Sequence, residues 1–342
     1  MSADFYSIQT ININTINFED TTFSCRFFDK PNDMLTESIK KWGLLTSPLL
    51  RQTDDHRYQI ILGFQRLKVI KRLNYKEITC FVIKKRNDPS VKALWEIIIS
   101  ELLSTGNMNL FDQSVLFNKI LQYFPKQWVT DNILPLFGLS PSAHILDRIC
   151  PLIDLEQELA LAVLEDQISQ QMAIRLLNLS SPERLCLGRL FVTYKYSKSK
   201  QFEILEHVLD LKAIHSKEID KLIYKVEETF SEQMHQMTAF NLPQKAELIR
   251  NKIRSWRYPT LTDLEEHYDK AIKSLKLGQG ISLKPPSFFE GNTFQISITF
   301  QTIETLLDKI TQLNTNIGSQ KKIWHEIQKV QTSHLPKSPK KY

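Results

Sequence analysis

The chain has 342 residues, of which 42% are hydrophobic and 24% are charged, and its formal net charge is +6 at pH 7. This length accommodates two or three domains with ordinary hydrophobic cores, and the composition excludes a wholly disordered chain. The modest positive charge is compatible with an anionic partner and does not require one.

The first part of the chain predicts a strand, a helix and a second strand. Residues 5–22 are rich in Ile, Asn and Thr, which indicates an extended arm or first strand. Apolar residues recur at helical spacing from Leu35 to Trp42, and Gly43 is a plausible C-cap. The second strand is predicted in the apolar stretch of residues 44–51, which leads into the polar turn of residues 52–57.

Residues 58–73 form the stretch around which the chain is organised. They read as a short apolar strand, a turn at Gly63, and a helix whose first turn carries Gln65 and Arg66. A helix start leaves unpaired backbone N–H groups beside a positive dipole end, which is a common way to hold a phosphate. Arg66 adds a planar fork of donors. A further strand is predicted at residues 78–83.

This order of elements resembles the N-terminal domain of the ParB/Noc family of partition proteins. The family carries a Gly-Glu-Arg-Arg box here, and this chain reads Gly63-Phe64-Gln65-Arg66, which keeps the glycine and the last arginine. Arg51 falls where the family's preceding strand ends in Val-Arg, and Glu101 matches the glutamate of its Glu-Asn-x-Gln-Arg motif. The resemblance implies that CTP, with Mg²⁺, is bound by Arg51, Gly63, Phe64, Gln65, Arg66 and Glu101. Without the resemblance, Glu101 is simply a surface carboxylate.

The pattern becomes helical from residue 90, and residues 129–150 have the spacing of a helix-turn-helix. A first helix ends at Gly138, and Ser140 or Ser142 caps a second helix with Pro141 in its first turn. The alternative is an ordinary helical hairpin in an all-α core. Because this segment follows a ParB-like domain, a DNA-binding helix-turn-helix is favoured over the hairpin. Its candidate DNA contacts are Thr130, Ser140, Ser142, His144 and Arg148.

Further helices are predicted from residue 153 to about residue 254. Residues 168–173 resemble a run in the helical domain of the same family, with Ser169 as a helix cap and Ala173 at a close helix contact. Near the end, Thr262 opens a capping-box helix, two strands lie within residues 281–300, and a helix covers residues 303–313.

These patterns predict an α+β protein with a ParB/sulfiredoxin-like α/β domain at residues 1–90 and an all-α DNA-binding domain at 91–250. A small α/β module at 251–330, suited to dimerisation by sheet extension or helix packing, and a disordered tail at 331–342 complete the chain.

Cysteine and hydropathy patterns indicate a cytoplasmic protein. The four cysteines are too far apart for a zinc knuckle and are expected to be small core residues. No apolar run approaches the roughly 18 residues that span a bilayer, and the start lacks a signal-peptide pattern, so no membrane partner is expected. The histidines do not have metal-ligand spacing, and there is no nucleophile elbow or Walker loop.

Three functions remain open. The resemblance favours a dimeric protein that binds double-stranded DNA at the nucleoid, acts in chromosome or plasmid partition or nucleoid-linked regulation, and works with a ParA-like ATPase. A second reading is an enzyme of the same fold, a kinase or nuclease with Glu101 or Glu77 as its base. The third is an adaptor that has kept the fold and lost the nucleotide.

Overall fold

The computed structural model describes residues 5–28, 33–53, 57–85, 88–106, 108–215, 218–236, 241–291 and 293–332. The chain divides into two compact units, Met1–Lys198 and Ser199–Tyr342. It is an α+β protein, with a mixed sheet in the first unit, a two-stranded sheet in the second, and helices in both.

The first unit contains a five-stranded sheet. Its strands are β1 Tyr6–Asn12, β2 Ile16–Asn17, β3 Leu49–Gln52, β4 Tyr58–Leu62 and β5 Glu77–Ile83. The strand order is β1-β5-β3-β4-β2, in which β1 with β5 and β3 with β4 run antiparallel, and the other two pairs run parallel. In β5, Ile78, Cys80 and Val82 are buried while Glu77 and Thr79 are exposed, so this part of the strand turns one face to the core.

Nine helices of the first unit lie within its described residues. They are α1 Asp33–Trp42, α2 Phe64–Arg72, α3 Val91–Thr105, α4 Leu110–Ile120, α5 Lys126–Asn132, α6 Ala143–Ile149, α7 Gln157–Leu164, α8 Gln170–Leu176 and α9 Ser181–Thr193. The predicted C-cap of α1 is confirmed, because Gly43 has φ +70° and its N–H donates to the carbonyl of Ile39. The predicted cap of α8 is also confirmed, since the Ser169 hydroxyl oxygen accepts from the N–H of Met172 at 3.1 Å.

One apolar core runs through the sheet and the helices that follow it, from Ile11 to Ile149. Trp95 in α3 is fully buried at its centre, edge-on to Phe23 with ring centroids 5.3 Å apart and tilted against Tyr123 at 6.2 Å. The domain boundary predicted at residue 90 therefore lies inside one compact unit. The division between units falls at Lys198 instead.

The second unit is mostly helical. Its elements are α10 Lys198–His215, α11 Ile219–Gln236, α12 Leu242–Arg257, α13 Pro259–Leu275, β6 Ile281–Lys284, β7 Gln295–Ile298, α14 Ile303–Ser319 and α15 Lys321–Thr332. Strands β6 and β7 pair antiparallel, as the alternating pattern predicted. The hydroxyl of Tyr268 donates to the carbonyl of Leu283 at 2.7 Å, which fixes α13 against this hairpin.

Two predictions for the second unit were wrong in their bounds. The helix predicted to begin at a Thr262 cap begins at Pro259, because proline suits a first helical turn, and the Thr262 hydroxyl bonds back to the carbonyl of Tyr258. The last predicted helix continues past residue 313 to Ser319 and is followed by α15. Residues 333–342 of the predicted tail lie outside the described residues.

Candidate functional site

The junction between β4 and α2 has the backbone geometry of an anion site. Gly63 has φ +96° and stands at the N-cap of α2 without a side-chain cap. The first intrahelical bond runs from the N–H of Leu67 to the carbonyl of Gly63, so the N–H groups of the three preceding residues point out of the helix start. A Cβ on Gly63 would lie 3.0 Å from the Cβ of Pro48, so glycine is required for both conformation and space.

A cavity of about 360 Å³ opens at this helix start. The cavity is lined by the loop that follows β2, by α1 and the loop after it, by the β4–α2 junction and by α3. The lining residues are Phe23, Ser24, Cys25, Arg26, Leu35, Thr46, Ile61, Leu62, Gly63, Phe64, Gln65, Arg66, Ile98, Glu101, Leu102 and Thr105. We call it the α2 cleft. The structure thus brings together five of the six residues predicted for nucleotide binding, and Arg51 is not among them.

Arg66 is one of the two arginines that line the α2 cleft. Its Nη1 donates to the carbonyl oxygen of Thr46 at 2.7 Å. Burial lowers the pKa of the Arg66 guanidinium, and the nearby carboxylate of Glu101 partly opposes that shift. Among the described residues, no carboxylate lies within ion-pair distance of Arg66, so its remaining donors are available to a ligand.

The two residues between Gly63 and Arg66 contribute differently. Phe64 is only 8% exposed and packs into the core, so it offers a backbone N–H and anchors the helix start. The Oε1 atom of Gln65 is buried without a hydrogen-bond donor. Since a buried acceptor without a partner costs free energy, this oxygen is suited to a donor group on a ligand.

Arg51 is paired with a carboxylate within the protein. Its Nε and Nη2 donate to the two carboxylate oxygens of Asp88 at 2.6 and 2.5 Å, and this pairing raises the pKa of the guanidinium. Its Nη1 lies 3.4 Å from Oε1 of Gln59. Arg51 therefore ties the connection before α3 to β3, and its contact with a nucleotide stays a prediction.

A buried carboxylate outside the predicted site residues supports the loop that forms one side of the cleft. Asp112 in α4 is 1% exposed and accepts from Nη1 of Arg26 at 2.6 Å and from the N–H of Phe27 at 2.9 Å. Lys119 donates to the carbonyls of Thr21 and Ser24 at 2.5 and 2.8 Å. These bonds fix the loop after β2 on α4. Arg26 and Asp112 are 86 residues apart in sequence, so no local sequence signal indicates the pair.

A second cavity, of about 250 Å³, adjoins the α2 cleft. The two share Thr46, Leu62, Arg66 and Glu101. The second is lined also by aromatic rings, with Tyr6 edge-on to Phe81 at a centroid distance of 4.9 Å. Arg66 and Glu101 therefore border both cavities, whereas Glu77, the other carboxylate considered as a catalytic base, lines neither.

The predicted helix-turn-helix is formed by α5, a short 3-10 helix at Leu134–Phe137, and α6. Gly138 ends the 3-10 helix with φ +72°, as expected for the turn. On α6, Leu146 and Ile149 face the core, while His144 is exposed and Arg148 is half-buried. Ser140 and Ser142 are also exposed, so four of the five candidate DNA contacts reach solvent.

Thr130 is the exception, because it is buried. It is 2% exposed, and its hydroxyl donates to the carbonyl of Lys126 at 3.0 Å. The expected capping is also different: Ser142 is the N-cap residue but its side chain makes no cap bond, and Pro141 precedes the helix. Asp147 is balanced by Lys126, with Nζ 2.5 Å from Oδ1.

Neither a metal-binding cluster nor a membrane-spanning helix is present among the described residues. Groups of three or more His, Cys, Asp or Glu side chains arranged to hold a metal ion are absent from the described part of the chain. Over the same residues, the helices lack the combination of length and apolar character that crossing a bilayer requires.

The first part of the chain is similar to a known domain family. The ParB N-terminal domain family model matches residues 3–97. Nucleoid occlusion proteins from Bacillus cereus (strain B4264) and Bacillus thuringiensis (strain Al Hakam) are each 23% identical over 180 residues, which is 53% of this chain and 58% of the relative. The match thus spans little more than half of the length of these relatives.

Solved structures show weaker overall similarity. The C-terminally truncated ParB from Caulobacter crescentus complexed with CTP-γ-S is 20% identical, with 54% of this chain and 99% of that chain covered and a TM-score of 0.25. The same protein complexed to the centromeric parS site is 16% identical, with 56% and 95% covered and a TM-score of 0.27. A Pnob8-like ParB-N domain is 19% identical, with 61% and 83% covered and a TM-score of 0.29. The family-model match makes residues 3–97 of this chain similar to the ParB N-terminal domain.

Proposed function

We propose that this chain is a DNA-binding protein of the ParB type that acts at the nucleoid, in chromosome or plasmid partition or in nucleoid-linked regulation. The observation that carries the proposal is the order of its parts. A region that matches the ParB N-terminal domain model and has a helix start suited to an anion is followed, in the same compact unit, by a helix pair that exposes polar and basic groups.

The exposed face of α6 is the part proposed to contact double-stranded DNA. His144 offers an imidazole, Ser140 and Ser142 offer hydroxyls, and Arg148 has no carboxylate within ion-pair distance among the described residues. Such groups donate to phosphate oxygens and base edges. Chromatin pull-down with sequencing of the recovered DNA tests this: enrichment of a short common sequence supports the proposal, and uniform recovery of the genome contradicts it.

The α2 cleft is the part proposed to bind a nucleotide. Support comes from the outward N–H groups at the start of α2 and from the uncommitted donors of Arg66. The family box, of which this chain keeps Gly63 and Arg66, makes CTP, with Mg²⁺, the first nucleotide to test. Isothermal titration calorimetry on the wild-type chain and on Arg66→Ala checks the assignment, which predicts binding to the first and loss of binding in the second.

A homodimer is proposed through α14 of the second unit. Ile303, Ile310 and Ile317 recur at seven-residue spacing and are 70%, 46% and 38% exposed, and Leu307 beside them is 58% exposed. An apolar stripe with heptad spacing is the pattern by which helices pair. A second copy of the chain would cover this face. A ParA-like ATPase is proposed as a further partner on the family resemblance alone.

A further inference from the structure

The second unit holds a cavity of about 300 Å³ whose lining is drawn from that unit alone. It lies between α10, α11, α12 and the first residue of α13. The side chains that decide its chemistry are Leu211, His215, Leu222, Lys225, Trp256 and Pro259. We call it the Trp256 pocket. Its volume is at the lower end of the range for small-molecule sites in proteins, so it suits a short-chain or monocyclic molecule.

The wall of the Trp256 pocket is mainly apolar. Leu211 and Leu222 are 1% and 6% exposed, so the pocket reaches the buried interior of the unit, and Trp256 is half-buried beside them. The hydroxyl of Ser255, which also lines the pocket, donates to the carbonyl of Lys252 at 2.8 Å and is committed to its own helix. An apolar wall of this kind favours a ligand with an apolar body, because both surfaces are then removed from water.

Two ammonium groups lie beside the Trp256 ring. Nζ of Lys225 is 5.8 Å from the ring centroid, and Nζ of Lys252 is 5.9 Å from it. Both distances are within the range of cation–π attraction, which favours keeping the two lysines at the pocket. In the described part of the second unit, no carboxylate lies within ion-pair distance of either Nζ atom. Lys225 is exposed, so its ammonium group is accessible from solvent.

The arginines of α12 have the opposite arrangement. Each of the three is paired with a carboxylate: Arg250 with Glu203, Arg254 with Glu265 and Arg257 with Asp210. A carboxylate partner cancels much of the field of a cation, whereas the ring of Trp256 carries no net charge. Lys225 and Lys252 therefore attract an incoming anion more strongly than these paired arginines do.

We infer that the Trp256 pocket binds a small organic anion with one anionic head group on an apolar body, of the medium-chain or monocyclic monocarboxylate class. The apolar body packs against Leu211, Leu222 and Trp256. The carboxylate lies beside Nζ of Lys225, and the exposed imidazole of His215 on the same lining supplies a further hydrogen bond. This inference does not depend on the proposed nucleotide and DNA contacts, which belong to residues of the first unit.

Calorimetric titration of the full chain with octanoate and with octanamide tests the inference. The two probes have the same apolar chain and differ in the charge of the head group. The expected result is saturable binding of octanoate with a dissociation constant below about 1 mM, and an affinity about tenfold or more above that of octanamide. Absence of octanoate binding, or equal affinity for the two probes, overturns the inference.

A pair of lysine variants tests the role of charge. Lys225→Met keeps an unbranched apolar side chain and removes the charge, so it is expected to weaken octanoate binding by about tenfold and to leave octanamide binding unchanged. Lys221→Met is the matched control, because Lys221 is on the same helix, is exposed, pairs with Glu218 and does not line the pocket. An unaltered octanoate affinity in Lys225→Met, or an equal loss in both variants, overturns the inference.

Tryptophan fluorescence tests the position of the ligand. Octanoate is expected to change the emission of the wild-type chain, because the ring of Trp256 lines the pocket. In Trp256→Phe, which keeps an aromatic wall, calorimetric binding is expected to persist and the emission change to be lost. An emission change that persists in this variant overturns the assignment of the ligand to the Trp256 pocket.

Discussion

The Arg66 guanidinium donates a hydrogen bond to the Thr46 carbonyl oxygen, 2.7 Å away, and borders two adjoining cavities. The bond fixes the side chain at the start of α2 and leaves its other donors free. Arg51, the other arginine predicted for the same role, is bound instead to Asp88.

Replacement of Arg66 by alanine is expected to abolish nucleotide binding with little loss of stability. The lost bond to Thr46 is worth about 0.5–1.5 kcal/mol, and removal of a half-buried charge offsets part of that. Calorimetric titration and urea unfolding measure the two effects. Arg189→Ala is the control, since Arg189 is exposed, pairs with Glu158 and is not among the residues that line the cleft; equal loss of binding in both variants would contradict the assignment of Arg66.

Gly63→Ala is expected to lower the free energy of unfolding by roughly 1–3 kcal/mol, because φ is +96° and the new Cβ meets Pro48 at 3.0 Å. Gly106→Ala is the matched control. Its φ is +72° but no atom lies within 4 Å of the added Cβ, so it keeps the backbone strain and lacks the clash. Urea denaturation of both variants checks the difference, and an equal loss in the two would argue against close packing at Gly63.

Asp112→Asn is expected to destabilise the first unit by roughly 1–3 kcal/mol, because the carboxylate is buried and holds both Arg26 and the N–H of Phe27. Asp147→Asn breaks an exposed pair with Lys126 and is expected to cost less than about 1 kcal/mol. The two variants are compared by their midpoints of urea denaturation, for transitions whose dependence on urea concentration has the same slope. Similar values for both variants would show that the Asp112 contacts add nothing beyond a surface pair.

Cysteine chemistry gives a pH prediction. Burial raises the pKa of the Cys25 thiol from its ordinary value of 9.0 to about 12. Because the thiol pKa is higher in the folded chain than in the unfolded chain, burial of the neutral thiol contributes to stability in full below pH 9. That contribution is lost as the pH rises from 9 toward 12. Thiol-specific labelling at pH 8 should therefore spare Cys25 in the folded protein and modify it in urea. Rapid labelling of Cys25 in the folded chain would contradict its burial.

Dimerisation by α14 is tested by Ile310→Asp, which places a charge in the centre of the apolar stripe. The expected result is a monomer in sedimentation equilibrium, at concentrations where the wild type is a dimer. Thr315→Asp puts the same charge on another exposed part of α14 and is expected to leave the dimer intact. A wild-type chain that is monomeric at all concentrations would contradict the proposal.

The first part of the fold was predictable because its signals are local. Gly43 and Ser169 mark helix ends by their own backbone and side-chain chemistry, and the Gly63 turn stands between a recognisable strand and helix. The partner of Arg51 was not predictable, because Asp88 is 37 residues away and the contact depends on the folded sheet. The burial of Thr130 was missed for a similar reason: a polar residue on a short helix gives no sign that its hydroxyl returns to its own backbone.

The most direct test of the account is the affinity of the chain for the duplex recovered by pull-down, compared with that of a variant carrying His144→Ala and Arg148→Ala. Fluorescence anisotropy over a series of salt concentrations gives both the affinity and the number of phosphate contacts. The account predicts a loss of about tenfold or more and a shallower salt dependence in the variant. Equal affinities and equal salt slopes for the two proteins would contradict it.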